Sequence, residues 1–120
     1  MRTAEARRAS LALGAAAESR VADALASQGW AVLARNWHGS GAELDLVVGR
    51  AGALRFVEVK AREPDDPVGI EAIDGRKRRR LVRAAEAWLA AHEDIVDEAC
   101  FLVALVEGER ITWFDNAFDA

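Results

Sequence analysis

The chain has one cysteine, Cys100, so no internal disulfide can form, and a cysteine-built zinc site, which needs several thiolates, is excluded. That usage fits a cytoplasmic protein, with Cys100 as a buried strand thiol before Phe101-Leu102-Val103. The two histidines, His38 and His92, stand apart, and nothing assembles a Ser-His-Asp arrangement. Each reads as a loop or helix-end residue. No apolar run approaches the roughly 20 residues that a membrane span needs. Arg2, Arg7 and Arg8 lie near the N-terminus, but Glu5 interrupts them and no long uncharged stretch with a cleavage site follows, so a signal peptide is not expected. Gly39-Ser40-Gly41 is too short for a glycine-rich phosphate loop. Both prolines fall between Glu63 and Gly69, a turn-rich connector. Tyrosine is absent, yet four Trp and four Phe suffice for a core. With no repeat, low-complexity tract or linker, residues 1–120 are expected to form a single domain.

What is present orders itself as helix, three strands, helix, two strands, which is the pattern of an α/β domain with a mixed sheet of about five strands and helices packed on it. Residues 4–28 are rich in Ala, Leu, Arg and Glu and end before Gly29, a C-terminal helix stop. Trp30–Asn36 reads as a short strand and 37–42 as a loop. Residues 42–62 alternate apolar and charged side chains on either side of Arg50-Ala51-Gly52-Ala53, the signature of a hairpin. A second helix runs from Ile70 or Asp74 to Ala91, with Asp74 as its N-cap and Lys77, Leu81, Ala84, Ala85, Trp88 and Leu89 along one stripe. After the acidic connector 93–98, Cys100–Glu107 is a continuous apolar run expected to be buried on both faces, and Arg110–Phe114 an edge strand.

The hairpin carries the chemistry. Counting outward from its turn sets Asp45 opposite Glu58 and Glu43 opposite Lys60. Residues two apart share a face, so Glu43, Asp45, Glu58 and Lys60 project together while Leu44, Leu46, Val57 and Val59 take the other side. Facing residues have Cβ atoms about 4.5–5.5 Å apart. Carboxylates that close repel unless a proton or cation sits between them. Mg²⁺, or Mn²⁺ in its place, suits such a pair, because Mg²⁺ binds one or two carboxylates and keeps water and phosphate in its other positions. In the first helix, Glu18 is surrounded at helical spacing by Leu11, Gly14, Ala15, Val21, Ala22 and Leu25, so its carboxylate is partly buried or aimed at something, whereas Arg20 and Asp23 look solvated. Glu18, Asp45, Glu58 and Lys60 are together the parts of a metal-dependent phosphodiesterase. Asp45 and Glu58 would hold the metal, Glu18 would complete its shell or orient water, and Lys60 would orient the nucleophile or stabilise charge on phosphorus.

The opposing reading is that alternating charges mark only the solvated side of a sheet. The distribution of positive charge speaks against it. The net charge is −4, yet Arg76, Lys77, Arg78, Arg79, Arg80 and Arg83 fall within eight residues with no acid among them. Such a block repels itself, and a polyanion relieves that cost. Arg35, Lys60 and Arg62 would extend the same surface.

The set Gly14…Glu18, Arg35-Asn36, Glu43-Leu44-Asp45-Leu46, Phe56-Val57-Glu58-Val59-Lys60 with Arg62, Lys77 and Asn116-Ala117-Phe118 resembles the YraN-like family of small bacterial proteins, over residues 11–118. The resemblance implies a restriction-endonuclease-like fold of the PD-(D/E)XK kind, similar to archaeal Holliday-junction resolvases, with Asp45, Glu58 and Lys60 as its core site and Glu18 as its helix carboxylate. The chain departs from the family in having Ala42 where glycine is usual, and Cys100-Phe101-Leu102 where Arg-Phe-Asp is usual; Lys77 is kept. The expected function is a Mg²⁺-dependent endonuclease acting on branched or structured DNA, with a homodimer expected for two symmetric incisions. The alternatives are a non-catalytic nucleic-acid-binding or adaptor protein on the same fold, and a protein-interaction module whose basic helix docks an acidic partner.

Overall fold

The computed structural model describes residues 3–62, 75–92 and 97–115. Helix α1 (Ala4–Ser27) is followed by strands β1 (Ala31–Gly39), β2 (Ala42–Arg50) and β3 (Ala53–Ala61), helix α2 (Gly75–Ala91), and strands β4 (Glu98–Glu107) and β5 (Arg110–Asp115). The five strands form one sheet in the order β1-β2-β3-β4-β5. All neighbours are antiparallel except β3 and β4. A parallel pair needs a long crossover, and α2 lies in it. The α/β, mixed-sheet architecture is therefore the one the sequence pattern implies. The connector 63–69, the helix start at 70–74, residues 93–96 and Asn116-Ala117-Phe118 lie outside the described residues.

The β1–β2 and β2–β3 hairpins close with two-residue turns. Ser40 and Gly41 have φ of 53° and 74°, and Ala51 and Gly52 have φ of 48° and 86°. Two successive positive φ values make the turn whose twist matches that of the strands. The β2–β3 register is the one obtained by counting, with Arg50 facing Ala53 and Leu46 facing Val57. Strand β1 is longer than its sequence suggests. Instead of ending in a loop at Trp37, it stays paired through Trp37–Leu44, His38–Glu43 and Gly39–Ala42. The alternation that would reveal this is masked at Arg35 and Asn36, both exposed, where Asn36 takes a positive φ of 49°.

The sheet separates two cores. On one side α2 sets Leu81, Ala84, Ala85 and Trp88 against Leu44, Val47, Leu54, Phe56, Phe101 and Val103. On the other, α1 sets Ala17, Val21, Ala22 and Leu25 against Leu46, Val48, Val57, Leu102, Ala104 and Val106. The apolar run of β4 thus divides by strand alternation between two helices, as a strand covered on both faces must. Leu44 does not share a face with Leu46 as expected; it joins the α2 core. Regular pairing explains why: Asn36 and Asp45 drop out of the β1–β2 register, and the β2–β3 ladder ends at Leu46–Val57. The strict two-residue period holds only where the ladder does.

Two side chains expected elsewhere are also corrected. Arg20 is not merely solvated: its guanidinium donates to the carbonyls of Gly108 and Glu109, tying α1 to the β4–β5 turn. Cys100 is half-buried rather than buried, beside the Arg55–Glu98–Asp115 ion cluster, and burial raises its thiol pKa.

The β2–β3 turn is fixed from outside as well. The Gly52 carbonyl accepts from Asp97 N–H at 2.9 Å, and a Cβ on Gly52 would lie 2.4 Å from the Asp97 carboxylate. Gly52→Ala is therefore expected to destabilise the fold by roughly 1–3 kcal/mol through strained φ and the displaced carboxylate. Denaturant unfolding of the two proteins checks this, and equal midpoints would show that the turn tolerates a side chain.

Candidate metal and nucleic-acid site

Where β2 leaves β3, a side chain takes over from the backbone. Asp45 Oδ2 accepts the Val59 N–H at 2.8 Å, the bond that a ladder carbonyl would otherwise make. This pins the Asp45 carboxylate beside Glu58. Among the described residues, Glu58 is the one charged side chain that is buried, 6 % exposed. Lys77 Nζ, from the first turn of α2, lies 3.0 Å from Glu58 Oε1. Burial is the largest influence on Asp45, followed by the charge of Glu58; together they push its pKa from an ordinary 3.8 up to about 7, against the Val59 hydrogen bond and the Lys77 charge. A hydrogen bond with the Glu58 side chain acts in the same direction, raising the Asp45 pKa further. A cavity of about 190 Å³ opens over this pair. Its acidic side is Glu43, Asp45 and Glu58, its basic side Lys77 and Arg80, and Ala42 and Leu81 complete the wall.

Glu18 reaches this region from α1. Burial raises its pKa first, then the charges of Asp45 and Glu43; a hydrogen bond from Asn36 and the charge of Arg35 act the other way. With the Asn36 amide oriented by its neighbours, its nitrogen donates to Glu18 Oε2 at 3.3 Å and to Glu43 Oε1 at 3.0 Å. Asn36 is the residue that sequence reasoning left without a role. Its positive φ is the signal, since Asn tolerates that conformation better than most residues and turns the strand locally. Glu43, read only as part of the hairpin face, is the second such residue.

The hairpin count thus brings Asp45 and Glu58 together, and Glu18 faces the same region. Lys60 does not line the cavity; Lys77 does. Arg62 Nε is paired with Glu107 Oε2 at 2.9 Å. Arg35 is exposed on β1, and Arg76, Arg78, Arg79, Arg80 and Arg83 are exposed along α2. His92 stacks on Trp88 with centroids 3.6 Å apart, and His38 is exposed on β1 rather than in a loop.

The donor set decides what could bind here. Two carboxylates held together, with room above them, fit Mg²⁺ or Mn²⁺, which complete their shell with water and phosphate oxygens. Among the described residues no three Asp, Glu, His or Cys side chains form a group that could hold a metal ion, so the fit rests on Asp45 and Glu58.

The model of the uncharacterised protein family UPF0102 matches residues 17–111, from the α1 segment before Glu18 to the start of β5. The chain belongs to UPF0102. It is similar to a UPF0102 protein of Synechococcus sp. strain JA-3-3Ab, 48 % identical over 79 % of this chain and 75 % of that one. It is similar also to a UPF0102 protein of Gloeobacter violaceus, 53 % identical over 75 % and 74 % of the two chains. A UPF0102 protein of Halorhodospira halophila is 41 % identical over 88 % and 85 %. The YraN-like resemblance is therefore one of membership. The residues of the cavity, from Ala42 to Leu81, lie inside the segment that the UPF0102 model covers.

The raised pKa of Asp45 fixes a pH dependence. Its folded pKa lies above its unfolded one, so the native state binds more protons between pH 3.8 and about 7. The stability this contributes is full below 3.8 and is lost as pH climbs through about 7. Asp45→Asn removes the loss. Relative to wild type, the variant should gain roughly 2–3 kcal/mol between about pH 5 and about pH 8, at about 1.4 kcal/mol per unit. Urea unfolding at both pH values measures it, and a pH-independent difference would show that the fold does not raise the Asp45 pKa.

Proposed function

We propose that this UPF0102 protein is a Mg²⁺- or Mn²⁺-dependent endonuclease acting on DNA, with branched or otherwise structured DNA as its substrate. The observation that carries the reading is the half-buried Asp45 set against the buried Glu58 under a cavity walled by Lys77 and Arg80. Two like charges kept together out of water are costly, and such arrangements concentrate at working sites. The resemblance to restriction-endonuclease-like proteins supports the same reading.

Asp45 and Glu58 would hold the metal, which when bound supplies Lewis acidity at the phosphate and a more acidic water. The protein's own residues do the rest. The Val59 N–H holds Asp45 in one orientation, so the carboxylate needs no reorganisation to receive a cation. Arg80 and Lys77 line the cavity as positive groups and are placed to draw in a phosphodiester. Glu18, with Asn36 bridging it to Glu43, orients the attacking water from the α1 side. Lys60, two residues after Glu58 on β3, supplies a further cation by strand alternation. Arg76, Arg78, Arg79 and Arg83, together with Arg35, grip the backbone on either side. Arg62 joins them only if it leaves Glu107. A homodimer accounts for paired cuts across a branch point, and the site of action is the cytoplasm.

One observation favours a second reading. Lys77 already neutralises Glu58, as it would in a protein that binds nucleic acid without cutting it. Cleavage assays separate the two. The expected result is cutting of four-way junction, flap, single-stranded or duplex DNA that needs Mg²⁺ or Mn²⁺, stops in EDTA and is lost in Glu58→Ala by at least about a hundredfold, the scale of a missing group in general catalysis. Salt-sensitive binding without cutting would make the protein an adaptor, and no binding to any nucleic acid would favour a protein-interaction module.

The basic helix is tested separately. Arg79→Glu with Arg80→Glu should weaken DNA binding and reduce the slope of log affinity against log salt by about two, one for each phosphate no longer neutralised. Both side chains are exposed, so the unfolding midpoint should stay in place. Unchanged affinity by fluorescence anisotropy would remove α2 from the binding surface.

A further inference from the structure

Two lysines compete for the role of cation at the acidic pair. Lys60 follows Glu58 on β3, but Lys77 is the one whose Nζ lies 3.0 Å from Glu58 Oε1 and whose side chain lines the cavity with Arg80. This ion pair is lopsided. The side chain of Glu58 is 7 % exposed and that of Lys77 is 39 % exposed. Glu58 sits in the middle of a central strand, in register with Val103 of β4, and cannot turn away. Lys77 stands on the first described turn of α2, with a flexible four-carbon stem and a compact, well-hydrated charge. Swinging it outward costs little desolvation and brings it toward Arg80 and the open side of the cavity.

An ammonium on Glu58 Oε1 and a divalent cation on the same carboxylate stand close enough to repel each other strongly. We propose that Lys77 is the resident counter-ion of the Asp45–Glu58 pair, and that a divalent cation and a phosphodiester bind cooperatively because the cation displaces the ammonium and the phosphodiester receives it. The proposal rests on the nuclease reading of the site and goes beyond it, since it concerns the order and coupling of binding rather than the cut. In the free protein, metal arrival has to weaken the Lys77–Glu58 pair. With a phosphate in the cavity, the displaced ammonium gains a new partner beside Arg80. Coupling of this kind is reciprocal: whatever factor DNA adds to metal affinity, the metal adds to DNA affinity. Lys77 is thus a positioning residue for the metal, and its removal should strengthen metal binding, which the loss of a merely structural ion pair would not do.

The test is calorimetric titration of Mg²⁺ into the full chain, for wild type, Lys77→Met and Lys77→Gln, each checked for folding by circular dichroism. The titration is repeated with four-way junction DNA present and with Ca²⁺, which takes the same oxygen ligands. Both variants should bind the metal roughly tenfold more tightly than wild type in the absence of DNA, within the usual coupling range of about 5–150-fold. DNA should raise the metal affinity of all three proteins, and that of wild type by a further factor of about ten, so that with DNA present the three converge. The wild-type arm needs no variant, so a substitution that unfolds the chain does not spare the proposal. Equal affinities in all three proteins, with or without DNA, would overturn the role of Lys77 and leave the nuclease reading standing. Weaker metal binding in the variants would overturn it as well, by making Lys77 a support of the site. No metal binding by any of them, with or without DNA, would sink both.

Discussion

Asp45 does the work of a backbone carbonyl. At the place where β2 stops pairing with β3, its carboxylate accepts the Val59 N–H at 2.8 Å, and the ladder ends without leaving that donor unpaired. A buried N–H with no partner costs about 1–3 kcal/mol, so this one bond decides whether the strands can part at all. Parting is what makes the cavity. Were the ladder to continue, Asp45 and Glu58 would be ordinary cross-strand neighbours on a closed sheet, with no room between β2 and α2 for a third group. The same bond brings two acids together; the repulsion raises the Asp45 pKa, and the Lys77 ammonium offsets the charge of Glu58. Among the described residues, no buried side-chain nitrogen or oxygen is left without a hydrogen-bond partner.

The sheet then works as a divider of charge. Helix α1, packed on one face through Ala17, Val21, Ala22 and Leu25, delivers a carboxylate, Glu18, to the neighbourhood of Asn36, Glu43 and Asp45. Helix α2, packed on the other through Leu81, Ala84, Ala85 and Trp88, delivers Lys77 and Arg80. Each helix is anchored by small and branched residues close to the polar group it presents. Trp37 helps on the α2 side, meeting Trp88 edge to face at 5.5 Å. A change in helix packing is therefore felt at the site as a shift of charge, because long side chains amplify small rotations of the helix that carries them.

Most of this geometry was legible in the sequence where a regular period governed it. The β2–β3 register followed from a two-residue turn, the division of β4 between two faces from its unbroken apolar run, and the position of Lys77 on the packed stripe of α2 from helical spacing. What escaped was irregular. Leu44 changed faces because Asp45 leaves both ladders, and no alternation rule reports where a ladder stops. Strand β1 ran on past Asn36 because an Asn with positive φ can turn a strand without ending it. Arg20 looked solvated because its partners, the carbonyls of Gly108 and Glu109, are 88 and 89 residues away and carry no side-chain signature. The choice between Lys60 and Lys77 as the cation beside Glu58 is likewise a tertiary fact: both are the right residue type, and only the docking of α2 places one of them at 3.0 Å.

The acidic balance of the chain is no obstacle to a polyanionic partner. Charges further apart than about 8 Å are largely screened at physiological ionic strength, so an approaching phosphate backbone responds to the helix it meets and not to a net charge of −4 spread over 120 residues. Arg76, Arg78, Arg79, Arg80 and Arg83 are all exposed on α2, where such a backbone would meet them. The carboxylates lie beside Arg80 and Lys77, in a partly buried setting where their repulsion of phosphate would be strong if they were bare. They are not bare. Lys77 is in contact with Glu58 and lines the same cavity as Arg80, so positive charge offsets the acidic pair at the mouth. An acidic pair offset by a lysine can coexist with a basic rim more readily than one left bare.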